Sequence, residues 1–306
     1  MRAIFWKEMS DHFGRRRFVL VLGLIVLGAV WATFIDKDDV IRSGTGSFYL
    51  DLFTTTSGVP ISLQLFIGFF GPIIGITLGF DSINSERTQG TLSRILAQPL
   101  YRDAVYNGKF LAGIATLAIV VLSMGVVAIG IAMWRFGIPP SGQESFRLIG
   151  FGLLTIVYLA FWLALAMTAS IYLRNAVASA LASIGIWIAV SFFIGLAATA
   201  IADRVVPEIR NNDDQILYNN VNLWTGRVSP VNLFSESTRI LLDPIRGRTL
   251  NVFNVAPERM QDIIVTPVSA GQSLQLVWPH IVVMVSMVAL LLAISYVRFM
   301  REEIRA

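Results

Sequence analysis

Six apolar stretches, each long enough to cross a bilayer, constrain this chain more than any motif does. They run approximately from Phe18 to Ile35, Val59 to Phe80, Phe110 to Trp134, Leu148 to Leu173, Ala176 to Ile201 and Trp278 to Val297. None carries Asp, Glu, Lys or Arg in its interior. A hydrocarbon core of about 30 Å calls for roughly 20 apolar residues in helical form, since no water is there to satisfy backbone or charged groups. The expected fold class is an all-α polytopic membrane protein with six transmembrane helices. Composition agrees: 55% of the 306 residues are hydrophobic and 14% charged, well below the ~25% charge of soluble chains. That balance excludes a disordered chain as well. The absence of cysteine removes disulfides, thiolate catalysis and thiolate metal sites together.

Six spans put both termini on one side. That side holds thirteen Lys and Arg residues, among them Arg15, Arg16, Arg17, Arg87, Arg94, Arg102 and Lys109, whereas the short loops opposite hold Lys37, Arg42, Arg135 and Arg147. Basic residues collect in cytoplasmic loops, so both termini are expected in the cytoplasm and the chain in the plasma membrane, in contact with lipid. The net charge of +4 is then an orientation signal, and no nucleic-acid partner is expected. The arginine triplet before an apolar run imitates a signal peptide. At about 18 residues that run is longer than the usual 7 to 15, which favours a retained first span.

Residues 1–17 place Met1, Phe5, Met9 and Phe13 at steps of four, the pattern of an amphipathic helix lying in the interface; the plain alternative is a frayed tail. Residues 18–201 hold the first five spans, with Arg174 and Asn175 as a tight turn between the fourth and fifth. Residues 202–277 are the sizeable polar block, expected to pack on the outer helix ends or on an extracytoplasmic partner. Within it Asn211, Asn212, Asp213 and Asp214 read as a turn or loop cluster. Ser229 and Pro230 read as the N-cap and first residue of a helix through Leu242. Residues 278–306 give the last span and a short tail. In the second span Gly71, Gly75 and Gly79 form a small-xxx-small face for close helix packing, either fixed or moving.

The densest polar sequence on the terminal side is FDSINSERTQGTLSRILAQPLYRDAVYNGKF, from Phe80 to Phe110. The second helix can continue through Glu86 and Arg87 and end at Gly90, which tolerates a left-handed cap. Thr91 can then cap a short helix, near 91–98, with Leu92, Ile95 and Leu96 on one face, which Pro99 stops. An apolar face outside the bilayer needs cover. Its own helix ends could supply it, as could lipid headgroups or another subunit.

The pattern of Asp81, Glu86, Arg87, Gly90, Thr91, Leu92, Leu96, Pro99, Arg102 and Gly108-Lys109 resembles the D-x4-ER-x2-GTL-x3-L-x2-P-x2-R-x5-GK signature of the type-2 ABC transporter permeases, the ABC-2 membrane proteins. The resemblance extends to the six-span layout, the N-terminal helix and the Ser229-Pro230 helix. It implies that the N-terminal helix is an elbow and that 91–98 is the coupling helix, seated in a groove of an ATP-binding subunit. Leu92, Ile95 and Leu96 would enter that groove. Glu86, Arg87, Arg94 and Arg102 would make polar contacts around it, with Gly90, Thr91 and Pro99 setting its geometry. Two ABC ATPase subunits and a second permease, identical or related, would complete an ATP-driven machine. The resemblance assigns the second and fifth spans to a path at the dimer interface, with Gln64, Ser183 and Trp187 as its candidate lining.

The chain has no GxxxxGK[ST] phosphate loop, so no cofactor is expected on it, and ATP with magnesium is expected on the partner ATPase. His12 and His280 lie far apart, without the spacing of a metal site, and His280 is expected to be an interfacial residue. Ser273 departs from a nucleophile elbow and reads as a loop or helix-cap residue. No catalytic residue is expected. The leading expectation is a membrane permease, working as an exporter. The alternative is a mechanotransmitting scaffold that passes ATPase-driven motion to an outer partner.

Overall fold

Where lipid is the solvent, a chain satisfies its backbone polar groups within its own helices, and every regular element among the described residues is helical. The computed structural model describes residues 2–14, 16–32, 48–54, 62–91, 101–243 and 269–301. In order these form α1 (Arg2–Gly14), α2 (Arg16–Ala32), α3 (Phe48–Thr54), α4 (Leu63–Gly79), α5 (Asn84–Thr88), α6 (Arg102–Phe136), α7 (Gly142–Tyr172) and α8 (Ala176–Ile188). A short π-helical segment, Ala189–Phe193, joins α8 to α9 (Ile194–Val205); α10 (Asn212–Gly226), α11 (Pro230–Leu242) and α12 (Ala270–Arg301) follow.

Five stretches are long and apolar enough to cross a membrane: Leu63–Thr88, Arg102–Phe136, Gly142–Tyr172, Ala176–Val205 and Ala270–Arg301. Helix α2, which holds the described part of the first expected span, has 17 residues, about 26 Å of helix at 1.5 Å per residue. At the other extreme α6 has 35 residues, long enough to carry Lys109 beyond the apolar stretch that begins at Phe110.

Helix α7 is the central post, in contact with α4, α6, α8, α11 and α12. Of its span, 56% is buried within the chain, against 11% of Ala176–Val205. The tight contact with α4 follows from the glycine stripe. A Cβ placed on Gly75 would lie 2.7 Å from the Leu159 carbonyl oxygen and 2.8 Å from Trp162 Cβ, and one on Gly79 would lie 2.7 Å from the Leu163 carbonyl oxygen. Gly71 faces the Leu159 side chain in the same row. The helices therefore meet backbone to backbone, a dispersion contact that any larger side chain would lift apart. Between α7 and α8 the turn is as tight as expected, with Asn175 Oδ1 accepting from the Val177 amide at 2.8 Å.

Several local readings change. Asn211, expected in a loop cluster, caps α10: its side chain accepts from the Asp214 amide, and Asp213 and Asp214 fill the first turn, where carboxylates oppose the positive end of the helix dipole. The last helix starts at Ala270, eight residues before the expected Trp278. Ser269 and Gln272 form a reciprocal cap, with Gln272 N donating to Ser269 Oγ and Ser269 N to Gln272 Oε1. Ser273 is consequently buried inside this helix and not a loop or cap residue. Helix α3 falls in a stretch read as a short loop, and it buries Tyr49, Leu50, Leu52 and Phe53 against α4, α7 and α11. Ser229 does cap α11, with Pro230 at its first position.

The glycine contact yields a paired prediction. Gly75→Ala should lower stability by about 1–3 kcal/mol through overpacking against fixed backbone. Gly130→Ala, where nothing lies within 4 Å of an added Cβ, should be neutral or stabilising by up to ~1 kcal/mol. Thermal unfolding of the detergent-purified variants measures both; equal melting temperatures would contradict the close-packing account.

Candidate functional site

At the end of the bundle that holds α1, helix α6 begins before the apolar stretch and brings Lys109 inside, with 3% of its side chain exposed. An ammonium there needs counter-charges at short range. Two carboxylates supply them. Lys109 Nζ donates to Glu8 Oε1 of α1 at 2.8 Å and to Glu86 Oε1 of α5 at 2.9 Å. Lys7, half exposed, reaches the same two oxygens at 3.1 Å each and lies 3.6 Å from Asp11. Burial by itself would raise the Glu8 carboxyl, but Lys109 and then Lys7 outweigh it and hold the group below its ordinary value. Burial likewise works against the Lys7 ammonium, and Glu8 with Glu86 overcomes it and raises the group above its ordinary value.

The same arrangement orients α1. The residues turned inward are Ile4, Glu8 and Met9, while Trp6 and Phe13 remain exposed. Ile4 and Met9 come from the apolar side of the helix, and Glu8 turns inward with them because a buried lysine meets it. Met9 Sδ lies 3.5 Å from Thr116 Oγ1 of α6, whose hydroxyl donates to the Ala112 carbonyl at 2.8 Å.

Helix α5 is also fastened to the end of α7. Ser170 Oγ accepts from the amides of Ile83 and Asn84, both at 3.2 Å, and Asn84 Nδ2 donates to the Leu173 carbonyl at 2.8 Å. Arg87 Nη1 reaches the Ser170 and Ile171 carbonyls at 3.4 Å. These last-turn carbonyls have no partner within their own helix, and a cation suits the negative end of its dipole. Gly90 takes a left-handed φ of 65°, and Thr91 Oγ1 donates back to the Glu86 carbonyl at 3.3 Å. Leu92, Ile95, Leu96 and Pro99, with Arg94, lie outside the described residues. Where the chain resumes, Arg102 Nη1 donates to the Met300 carbonyl at 3.4 Å, and Tyr106 and Ser295 share a hydroxyl hydrogen bond. Both ends of the interval are therefore anchored, one on α1, α6 and α7, the other on α12.

The candidates of the second and fifth spans each engage a separate partner. Gln64 donates to Thr238 Oγ1 at 2.6 Å, joining α4 to α11. Ser183 Oγ donates to the Ser179 carbonyl one turn back, and Trp187 packs edge-on against Phe69. At the opposite end of the bundle lies a second polar cluster that the sequence reading left out. Arg147 Nη1 donates to the Leu241 carbonyl at 2.6 Å and to Ser273 Oγ at 2.9 Å, tying α7, α11 and α12 together. Arg227 pairs with Glu236 in two hydrogen bonds, and His280 Nε2 lies 3.2 Å from Glu236 Oε2. His280 is thus buried within the protein. Burial of Glu236 would raise its carboxyl, yet Arg227 and then His280 prevail and hold it down at about 2.

The sequence profile of the ABC-2 family transporter proteins matches residues 2–304. A protein named Probable ABC transporter permease protein NosY, from Stutzerimonas stutzeri, is 33% identical over 144 residues, 43% of this chain and 49% of that protein. One of the same name from Pseudomonas aeruginosa PAO1 is 29% identical over 233 residues, 71% of this chain and 79% of that protein. The chain thus spans about half the length of the first relative and most of the second.

Two measurements follow. Lys109→Met leaves two buried carboxylates with the half-exposed Lys7 as their remaining counter-charge and should cost about 3 kcal/mol, whereas combining it with Glu8→Gln and Glu86→Gln should recover most of that. Thermal melts of the detergent-purified variants compare them, and an unaffected Lys109→Met would show that the cluster holds nothing. At the other cluster the folded-state carboxyl is depressed, so its contribution is complete above about 4.5 and lost as pH falls towards about 2. Glu236→Gln should therefore flatten the acid limb of the melting profile; an unchanged limb would contradict the pairing.

Proposed function

The chain belongs to the ABC-2 family of transporter proteins, and we propose that its helices form the permease of an exporter driven by two copies of a separate ATP-binding subunit. Six spans complete the architecture, the first following the apolar run from Phe18 to Ile35. The end with α1 faces the cytoplasm of a cell bounded by this plasma membrane, in accord with its excess of Lys and Arg. ATP and magnesium belong to the partner subunit, and this chain contributes no catalytic group.

The observation that carries the reading is the attachment of the segment after Gly90. One side of it rests on α5, which Lys109 joins to α1 and α6 and which Ser170 joins to α7. The other side resumes on α6, bound to α12 through Arg102. A short helix near 91–98, with Leu92, Ile95 and Leu96 in a groove of the ATP-binding subunit, would thus push on five helices together. The Ala176–Val205 rod, which leaves Leu181, Phe192, Phe193 and Leu196 exposed, offers a face for a second permease, identical or related. A path for cargo between the two chains would follow α4 and α8, past Gln64, Ser183 and Trp187.

The α11 layer favours one other reading. It is bound to α4 through Gln64, to α7 through Arg147, and to α12 by the approach of His280 to Glu236. Displacement of the spans therefore reaches residues 202–277, where an extracytoplasmic partner could be moved without passage of a solute. Deleting part of that segment should abolish capture of such a partner while leaving the permease and its ATPase assembled.

Leu92→Asp or Leu96→Asp tests the coupling role. Loss of one buried leucine contact, ~2 kcal/mol, corresponds to about thirtyfold weaker docking. Co-purification with the ATP-binding subunit and ATP turnover of the complex provide the readings; wild-type assembly and turnover in both variants would refute the role.

A further inference from the structure

Between α6 and α7, in the half of the bundle away from α1, lies a cavity of about 260 Å³ whose described lining carries no charged side chain and one hydroxyl, Ser145. Its floor is made by the buried side chains of Phe53, Val121, Met124 and Phe151. Its rims are Leu122 and Val126 on α6 and Ile149 and Leu153 on α7, which are 61–71% exposed on the outside of the bundle. Two glycines open it. A Cβ on Gly125 would meet nothing within 4 Å, and one on Gly152 would meet only Val121 Cγ1, at 3.9 Å. Where Gly75 and Gly79 let a neighbouring helix approach, Gly125 and Gly152 leave a trough. Both of its walls belong to stretches long and apolar enough to cross a membrane, so it opens on lipid. An unfilled gap there would forfeit the dispersion contacts of its lining.

We propose that this trough holds one acyl chain of a phospholipid, drawn from the leaflet at the end of the bundle away from α1. Its dimensions favour a hydrocarbon chain over a helix. It is bordered from Val121 to Ile129 on α6 and from Ser145 to Ile156 on α7, about 12–17 Å at 1.5 Å per residue. That is about half of a ~30 Å hydrocarbon core, the depth of one leaflet. Spread over this length, the volume leaves a section of roughly 16–22 Å², against roughly 80 Å² for a helix about 10 Å across. A helix of a second copy or of a partner is too wide to enter, whereas a single unbranched chain fits. The shallow end lies at Ser145, one turn into α7, where the ester groups of a lipid would reach water; the deep end, at Val121 and Ile156, is apolar. With no cation on the described lining, the chain and not the headgroup charge is recognised. Once seated, it takes the place of the side chains that Gly125 and Gly152 lack and completes the packing of α6 on α7. Only the crossing of the membrane by these two helices is required, wherever the ATP-binding subunit docks.

Phosphatidylcholine and phosphatidylglycerol with a photoreactive diazirine midway along one acyl chain test the site. At one probe per detergent-purified chain, adducts mapped by mass spectrometry should be about tenfold denser on residues 121–129 and 145–156 than on the exposed faces of α8, α9 and α12. About ten extra close carbon contacts would supply that preference. The two headgroups should label alike, and unlabelled phospholipid should displace both probes. Gly125→Leu and, independently, Gly152→Leu fill the trough with the protein's own side chain; each should cut labelling there about tenfold and leave labelling elsewhere unchanged. Labelling spread evenly over the exposed faces, labelling of the trough that survives both substitutions, or labelling set by the headgroup would overturn the acyl-chain site. Trough adducts present in a monomeric fraction and lost in a dimeric one would overturn it too, giving this face to a second copy of the chain.

Discussion

An ammonium group withdrawn from water must be neutralised where it lies, and much of the organisation of this bundle follows from that requirement at Lys109. Its side chain enters because α6 is longer than its apolar stretch. Once inside it needs more than one carboxylate. Glu86 comes from a helix that continues the second span, and Glu8 from a helix that has no other reason to turn an acid inward. The pairing fixes α1 against α6, sets the direction in which α5 leaves the membrane, and brings three chain segments to one point just before Gly90. Ordinary apolar packing would hold the same helices, but it would not specify that meeting point.

The contacts around this point differ in kind from those along the bundle. Between α4 and α7 the glycine stripe allows backbone contact over two turns, which resists sliding because any shift brings a carbonyl oxygen against a helix backbone. Around α5 the connections are hydrogen bonds and ion pairs to helix ends, directional and few. At the opposite end Arg147 and the Arg227, Glu236 and His280 group serve the same purpose for α11. A bundle gripped at both ends and tightly packed at its centre transmits displacement along its length, which suits a subunit placed between an ATPase and an outer layer.

Much of this can be read from the residues, but unevenly. Stripes and punctuation are legible because they are local: glycine at every fourth position, Ser229 before Pro230, Gly90 at a helix end, Asn175 in a two-residue turn. Pairings between distant segments are not. Nothing near Glu8 indicates that Lys109, about a hundred residues on, will claim it, and the apolar step of four in α1 gave the stronger local signal. Asn211 illustrates a milder ambiguity, since Asn and Asp clusters suit loops and helix N-termini alike. The burial of α3 and of His280 likewise depends on neighbours that the sequence places far away. The segment of the coupling signature from Leu92 to Pro99 rests on resemblance alone.

The central claim is that α1 and the end of the second span move as one piece, joined through Lys109, when the ATP-binding subunits close. Spin labels on cysteines introduced at Ser10 and Gln89 of the same chain, and at Gln89 of both chains in the proposed dimer, report this by pulsed dipolar spectroscopy of the assembled complex. On addition of ATP the distance between the two chains should change while the distance within each chain stays constant. A change of comparable size between Ser10 and Gln89 would show that the cluster does not hold the elbow to the coupling segment, and would contradict the account.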